Sequence, residues 1–454
     1  MRLDERLPRA DRVAIDDGGR TWTYAELHDE SHAWEERLAS RGIGPGMAFG
    51  WLGHNSVAML AALLACARLH ARFVPLNWRL AAPELQAIAA HAGVAAWHTD
   101  PGFDALDGVA PLPLVADTAH DDLLLVYTSG TTGEPKGALH TQAAMLANID
   151  AAIDAQGLDE DTRTLAVLPL FHVGGLCIQV LPTLAVGGTV RLQPRFDAEA
   201  WFDDVVAWRP TTSLLVPATM RALVEHPRWA AADLSSLAFV NSGSQIVPRS
   251  LIDAFHARGL PVCQIYGATE TGPVTLVLRP HEAMARPGSV GRPARGVEVR
   301  LVDGELWVRA PNLARGYHRA PDDAAFADGW FRSGDMAHVD SDGFHEIVGR
   351  TKELIISGGE NIHPAEIEQI ALADPAVADA AAVGVPDPRW GEVPVLALVA
   401  RAGLSVDEAR LRASFDARLA RFKHPRRIVV LPALPKTALG KTQRALLARQ
   451  LSPP

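Results

Sequence analysis

Between residues 123 and 266, short apolar runs alternate with helical patterns, and this alternation narrows the fold more than any other feature of the chain. Runs at 123–127, 165–170, 212–216, 237–240 and 262–266 read as strands. Helices are expected at 141–155, capped by Thr141, at 219–225 and at 249–257. Strand–helix alternation at this spacing predicts an α/β architecture of parallel-rich sheets with flanking crossover helices. In such folds ligands bind beyond the carboxyl ends of the strands. The polar and glycine-rich clusters fall at those ends: residues 128–133, His172, Pro217, Gly243 and residues 267–270.

A chain of 454 residues exceeds what one compact core accommodates. Past residue 350 the character changes. Residues 364–373 read as helix, 377–385 and 393–399 as strands, and 406–419 as helix, which makes a small α+β unit. The junction is placed near 349–352, giving a large domain over 1–350 and a small mobile one over 351–454. The net charge of -10 excludes the basic stripe of a nucleic-acid binder. Cys66, Cys177 and Cys263 stand apart in apolar runs, with no metal-ligand spacing, and are expected as reduced, buried thiols of a cytoplasmic protein. The first residues carry acids and bases and no apolar core, so no signal peptide is expected. Residues 164–190 carry no charge over a length that could span a bilayer, but Pro169, Pro182, His172 and paired glycines interrupt them. A buried strand, a turn and a buried helix are expected there, and no membrane span.

After the run at 123–127 comes a dense loop: Tyr127, Thr128, Ser129, Gly130, Thr131, Thr132, Gly133, Glu134, Pro135, Lys136, Gly137. Glycines let backbone N–H groups approach an anion, hydroxyls add donors, and Lys136 adds charge. The combination suits a polyphosphate. It is not a Walker A loop, in which the lysine follows glycine and precedes Ser or Thr.

This loop resembles the phosphate-loop signature of the acyl-adenylate-forming superfamily, which includes acyl-CoA synthetases, luciferases and the adenylation domains of peptide synthetases. Other segments resemble further signatures of that family, in its order. Tyr266-Gly267-Ala268-Thr269-Glu270-Thr271 looks like its adenine and magnesium motif, and Trp330-Phe-Arg-Ser-Gly-Asp335 like its ribose motif, with Ser333 where threonine is usual. The stretch from Gly349 to Asn361 looks like its hinge and thiol-site motif, and the stretch from Pro435 to Lys441 like its catalytic-lysine motif.

The resemblance implies an acid–thiol ligase using ATP, Mg²⁺ and coenzyme A. Thr128, Ser129, Gly130, Thr131, Thr132, Gly133 and Lys136 would hold phosphates. Gly243, Ser244, Gln245, Tyr266, Gly267, Ala268 and Thr269 would hold adenine, and Asp335 and Arg350 the ribose. Glu270, with Thr128, would bind the metal, since Mg²⁺ on nucleotides takes only one or two protein carboxylates. Lys441, Glu270 and His172 would be catalytic. Lys441 would bridge carboxylate and α-phosphate, relieving repulsion between two anions. His172, Val173, Gly174, Pro217 and Gly267 would line the acyl pocket, which the His172 segment gates. No Asp stands at the His172 position, which argues against an amino-acid substrate. Lys352 matches the hinge, and Ser357, Gly358 and Gly359 the coenzyme A face. Trp390, Gly391 and Glu392 resemble a family element near that face.

The partners implied are a small carboxylic acid, ATP and coenzyme A. Oligomeric form is left open, a homodimer included. A fatty or alicyclic acid is favoured by the apolar 164–190 segment, with an aryl acid close behind. Residues 98–123 are compressed and 299–306 lack a longer hairpin, so the N-terminal part is expected to be reduced. Three rivals stand beside this reading: a ligase that loads a carrier protein, a non-catalytic acyl or nucleotide sensor, and a luciferase-like oxygenase. The first often carries an insertion that hinders rotation, and none is evident. Retention of Lys136, Glu270, Asp335, Arg350 and Lys441 argues against the second.

Overall fold

The apolar runs assemble into the middle of a nine-stranded sheet. In a computed structural model, all residues are described except 104–105, 107–120, 129–135, 321–322, 417, 437–441 and 453–454. The sheet order is Arg292–Pro293, Leu276–Val277, Val262–Tyr266, Phe239–Gly243, Thr212–Leu215, Arg163–Ala166, Thr189–Leu192, Val13–Asp16 and Thr21–Thr23. From Val262–Tyr266 through Val13–Asp16 neighbouring strands run parallel. Successive side chains point to opposite faces. Leu215 and Val240 therefore join Trp201, Phe202 and Phe255 on one side. On the other side Leu214 and Ile265 pack with Ala151, Ala152 and Ile178. Those last three come from the helix Gln142–Gln156 and from a helical segment over residues 173–185, whose middle, Leu176–Val180, is a π-helical turn.

A six-stranded sheet has the order Gly316–Tyr317, Lys136–Thr141, Asp122–Thr128, Arg72–Leu76, Ala48–Leu52, Val94–Thr99. The helix Val57–Leu69 is apolar on nearly every side and is buried accordingly. A third, antiparallel sheet contains Glu298–Val302, Glu305–Arg309, Trp330–Val339 and His345–Arg350. The last sheet is built from Ile355–Ser357, Glu360–Ile362, Val377–Asp387, Gly391–Ala400 and Arg427–Val430. Only its Gly391–Ala400 and Arg427–Val430 strands pair in parallel. The two apolar cores around this sheet contain no residue before Ile355, the mark of a separate C-terminal domain. An exposed Arg401–Glu225 ion pair touches the large part of the chain.

The expected elements form, with shifts of physical origin. The strand expected at 165–170 stops at Ala166, ahead of Pro169. The strand expected at 237–240 is Phe239–Gly243, so Gly243 closes it. The run at 123–127 does form a strand, Asp122–Thr128, but outside the nine-stranded sheet. It pairs antiparallel with Lys136–Thr141, a strand the sequence pattern did not reveal. The strands on either side of residues 129–135 thus pair with each other, and Lys136 belongs to the second of them. All three cysteines are free and buried. Among the described residues no helix is long and apolar enough to cross a membrane.

Candidate active site

Asp335 anchors one side of the site. It is buried, and the strand register places it directly opposite Arg350. Arg350 Nε lies 2.8 Å from Asp335 Oδ1, and the Tyr266 hydroxyl donates to Oδ2 at 2.7 Å. Burial, then the Asp335 charge, holds the Tyr266 hydroxyl well above the usual phenol range, so it remains a donor. Each carboxylate oxygen keeps a second lone pair for a further donor. Ser333 braces the turn: its hydroxyl donates to Leu306 O at 2.6 Å and accepts from Asp335 N at 3.0 Å. Serine supplies the same hydroxyl that threonine would.

Beside this clamp lies Glu270, in the short helical turn Thr269–Thr271 that follows the strand Val262–Tyr266. Ala268 N donates to Thr271 Oγ1 and holds that turn. Gly267 has no alternative: a Cβ there would stand 1.7 Å from Pro273 O. Tyr317 donates its hydroxyl to Glu270 Oε1 at 2.6 Å. Lys136 Nζ sits 4.7 Å above the Tyr317 ring and 2.5 Å from Asp323 Oδ2. Thr128, across the hairpin from Lys136, donates its hydroxyl to Lys136 O at 3.4 Å. Lys136 and Glu270 are thus connected through Tyr317 of the Gly316–Tyr317 edge strand, which pairs with Lys136–Thr141, and Thr128 joins them through Lys136. Tyr317 and Asp323 escaped sequence reasoning. They belong to no motif, and only the sheet pairing brings them in. Ser129, Gly130, Thr131, Thr132 and Gly133 lie outside the described residues.

The segment before His172 is set by Asn55, also missed from sequence. Buried, it donates to Leu168 O and Gln193 O at 3.0 Å and accepts from Leu170 N at 2.8 Å. It thereby fixes the segment that delivers Phe171 and His172, whose rings lie 4.5 Å apart. Gly175 is forced by close approach, since a Cβ would meet Pro169 O at 2.2 Å. Val173, with Cys177, His140, Met145 and Gly272, borders a small internal cavity. Gly174 is half-buried beside it, and Pro217 is the buried first residue of the helix Pro217–Val224. Past Gly243, Ser244 adopts a left-handed φ of 68°, which turns Gln245 outward to an exposed position.

At the C-terminal face, Ser357 ends one strand of a hairpin and Gly358 and Gly359 form its turn, with φ of 61° and 86°. Gly358 N donates to Trp390 O at 2.8 Å, Ser357 pairs with Gly391, and Ile356 N donates to Glu392 Oε2 at 3.1 Å. Trp390, Gly391 and Glu392 therefore support the glycine turn directly. Lys352 is exposed in the short turn Thr351–Glu353. Arg444 closes on Glu353 at 2.9 Å and on Glu368. Lys441 lies outside the described residues.

Asp335 is thus clamped by Tyr266 and Arg350, and Glu270 and Lys136 meet on the Tyr317 side chain. The sequence profile of the AMP-binding enzyme family matches residues 5–111 and 98–318, and that of the AMP-binding enzyme C-terminal domain matches 366–441. The chain belongs to this family, and within it to the AMP-forming acid–CoA ligases. It is 41% identical to an indoleacetate–CoA ligase of Aromatoleum aromaticum, over 97% of this chain and 96% of that one. It is 38% identical to a feruloyl-CoA synthase of Amycolatopsis sp, over 96% of each. Its fold superposes on the o-succinylbenzoate CoA synthetase of Bacillus subtilis bound to its acyl-adenylate, with a TM-score of 0.88, 30% identity, and 98% and 97% of the two chains covered.

Proposed function

We propose that this enzyme activates an aryl carboxylic acid with ATP and passes it to coenzyme A. The observation that carries the nucleotide half is the Asp335 clamp, a buried carboxylate oriented by Tyr266 and Arg350 with lone pairs left for two ribose hydroxyls. In the first step a substrate carboxylate oxygen attacks the α-phosphorus, the bond to the β-phosphate oxygen breaks, and pyrophosphate leaves. In the second, the coenzyme A sulfur attacks the acyl carbon, loses its proton, and AMP departs. Lys136 offers charge to the phosphates. Lys441 has the role of bridging the two anions in the first step. Glu270 suits Mg²⁺: among the described residues no group of three or more potential ligands exists, so an ion here would take its other oxygens from phosphates and water. Gly359, where an added Cβ would meet nothing within 4 Å, leaves room for a pantetheine arm, and Gly358 closes against the Trp390 ring beside it. The reading uses a domain boundary at 350/351 and a rotation about Lys352 between the two steps.

The aryl preference rests on the indoleacetate and feruloyl relatives. A fatty or alicyclic acid is the second reading, supported by the apolar surface of Ala151, Ala152, Ile178, Leu214 and Ile265. Pyrophosphate release with ATP, Mg²⁺ and fatty, alicyclic, benzoic, cinnamic and arylacetic acids, with and without coenzyme A, tests both. Turnover confined to aryl acids and dependent on coenzyme A is expected. Release indifferent to coenzyme A would indicate a carrier-protein acceptor, and no release with any acid would indicate the sensor. Lys441→Ala should cut adenylation by about 10²–10³-fold while sparing thioester formation from supplied acyl-AMP. Equal loss in both half-reactions would remove Lys441 from the adenylation step.

A further inference from the structure

On the face of the nine-stranded sheet that carries Leu214 and Ile265 lies a cluster of buried amides that the chemistry above does not use. Gln156 ends the helix Gln142–Gln156, Gln179 sits in the π-helical turn Leu176–Val180, and Asn241 lies two residues before Gly243. Gln179 is 1% and Asn241 0% exposed. The strand rise of roughly 3.3 Å per residue puts Asn241 about 7 Å deeper than Gly243. Around the cluster stand Ala152, Ile178 and Leu214, the apolar surface already assigned to the acyl group.

The orientation of every amide is fixed by its neighbours. Gln156 Nε2 donates to two carbonyls, Ala152 O at 3.2 Å and Ile178 O at 2.8 Å, so its Oε1 must be the acceptor. That oxygen accepts from Asn241 Nδ2 and from Gln179 Nε2. Gln179 Nε2 also reaches Thr212 Oγ1 at 2.9 Å. Flipping Asn241 or Gln179 would set oxygen against oxygen. Two acceptors are left over, Asn241 Oδ1 and Gln179 Oε1, both buried and neither with a hydrogen-bond donor among the described residues. A buried acceptor without a donor is costly and is normally avoided. Two from one network mark a place built for an incoming donor.

We infer that Asn241 and Gln179 form a polar floor to the acyl pocket and select acids that carry an N–H or O–H donor at the end remote from the carboxylate. The inference rests on the ligase reading above and deepens it to a substrate class: aryl acids with a ring N–H or phenolic O–H. An unsubstituted alkyl or aryl end would leave both oxygens unpaired. Sites that hydrogen-bond a substrate group reject isosteres lacking it far more strongly than apolar pockets discriminate by size.

The test compares matched acids in the thioester assay: indole-3-acetate with 1-benzothiophene-3-acetate, 4-hydroxyphenylacetate with 4-methylphenylacetate, and 4-hydroxycinnamate with 4-methylcinnamate. At least one donor acid should exceed its isostere in kcat/KM by about 10-fold or more. In Asn241→Leu and Gln179→Met that preference should collapse toward unity, carried mainly by KM. The wild-type comparison stands whether or not either variant folds, and thermal melting identifies a variant that does not. Isosteres that equal their donor acids, or a preference that survives in both folded variants, overturn the inference while the ligase stands. Turnover of straight-chain acids alone overturns it likewise. Absence of turnover with every acid brings down the ligase reading itself.

Discussion

At the scale of single residues, the candidate site is held by pairs that ATP would exchange on the proposed reading. Lys136 is engaged by Asp323, and Glu270 by Tyr317. Burial tends to raise the Asp323 carboxyl, but the Lys136 hydrogen bond, the Ala325 N–H and the charges of Lys136 and Lys352 together outweigh it and hold it below its ordinary range. Asp323 is therefore ionised at neutral pH and, on the proposed reading, would compete with the phosphates for the lysine. Asp323→Asn keeps the shape and removes the competing charge. It should lower KM for ATP by roughly 3–10-fold with little change in kcat, since half-exposed ion pairs are worth about 1 kcal/mol. Steady-state kinetics at saturating acid and coenzyme A check this. An unchanged or raised KM would show that Asp323 instead positions Lys136 for the nucleotide.

At the scale of elements, the strands that carry Tyr266 and Gly243 and the one that leads to Pro217 were legible because each is a short apolar run ended by a breaker, and Val262–Tyr266 forms with the expected bounds. The Lys136–Thr141 strand was not: its residues read as the tail of a loop, and its pairing with Gly316–Tyr317 spans a distance in sequence that no local pattern records. Tyr317, Asp323 and Asn55 were hidden for the same reason. The π-helical turn also left no periodic trace, yet it determines where Gln179 points. The glycine turn between Ile355–Ser357 and Glu360–Ile362 yields a prediction at this scale. Gly358→Ala would bring a Cβ within 2.7 Å of the Trp390 ring at a φ of 61°. The cost is on the order of 1–2 kcal/mol. Thioester formation should slow by about 10-fold or more while pyrophosphate release in a single turnover without coenzyme A is retained. Equal slowing of both would separate this turn from the thiol step.

At the scale of the whole molecule, a buried histidine, His140, and a half-buried one, His318, couple folding to pH. Burial lowers His140 to about 4. Burial, with the nearby Arg72 and Arg319 charges, lowers His318 to about 4 as well. Both are neutral in the folded chain and titrate near 6.5 when unfolded. The unfolded state therefore binds more protons between those values, and stability should fall as pH drops from about 6.5 toward 4. The loss is on the order of 2–3 kcal/mol for His140, and smaller for His318, where solvent screens the charge. Urea midpoints across this range should be flatter in His140→Phe, and a slope unchanged by that substitution would remove His140 as a source. The Arg401–Glu225 pair acts at the same scale. If the small domain turns about Lys352, the Asp335–Arg350 and Glu353–Arg444 pairs each stay on one side of the pivot and travel unbroken. Arg401 and Glu225 lie on opposite sides and have to part. An exposed pair of this kind is worth less than about 1 kcal/mol and is screened by salt. It is a doorstop and not a bolt: thermal motion releases it, and ionic strength sets how long the door rests against it.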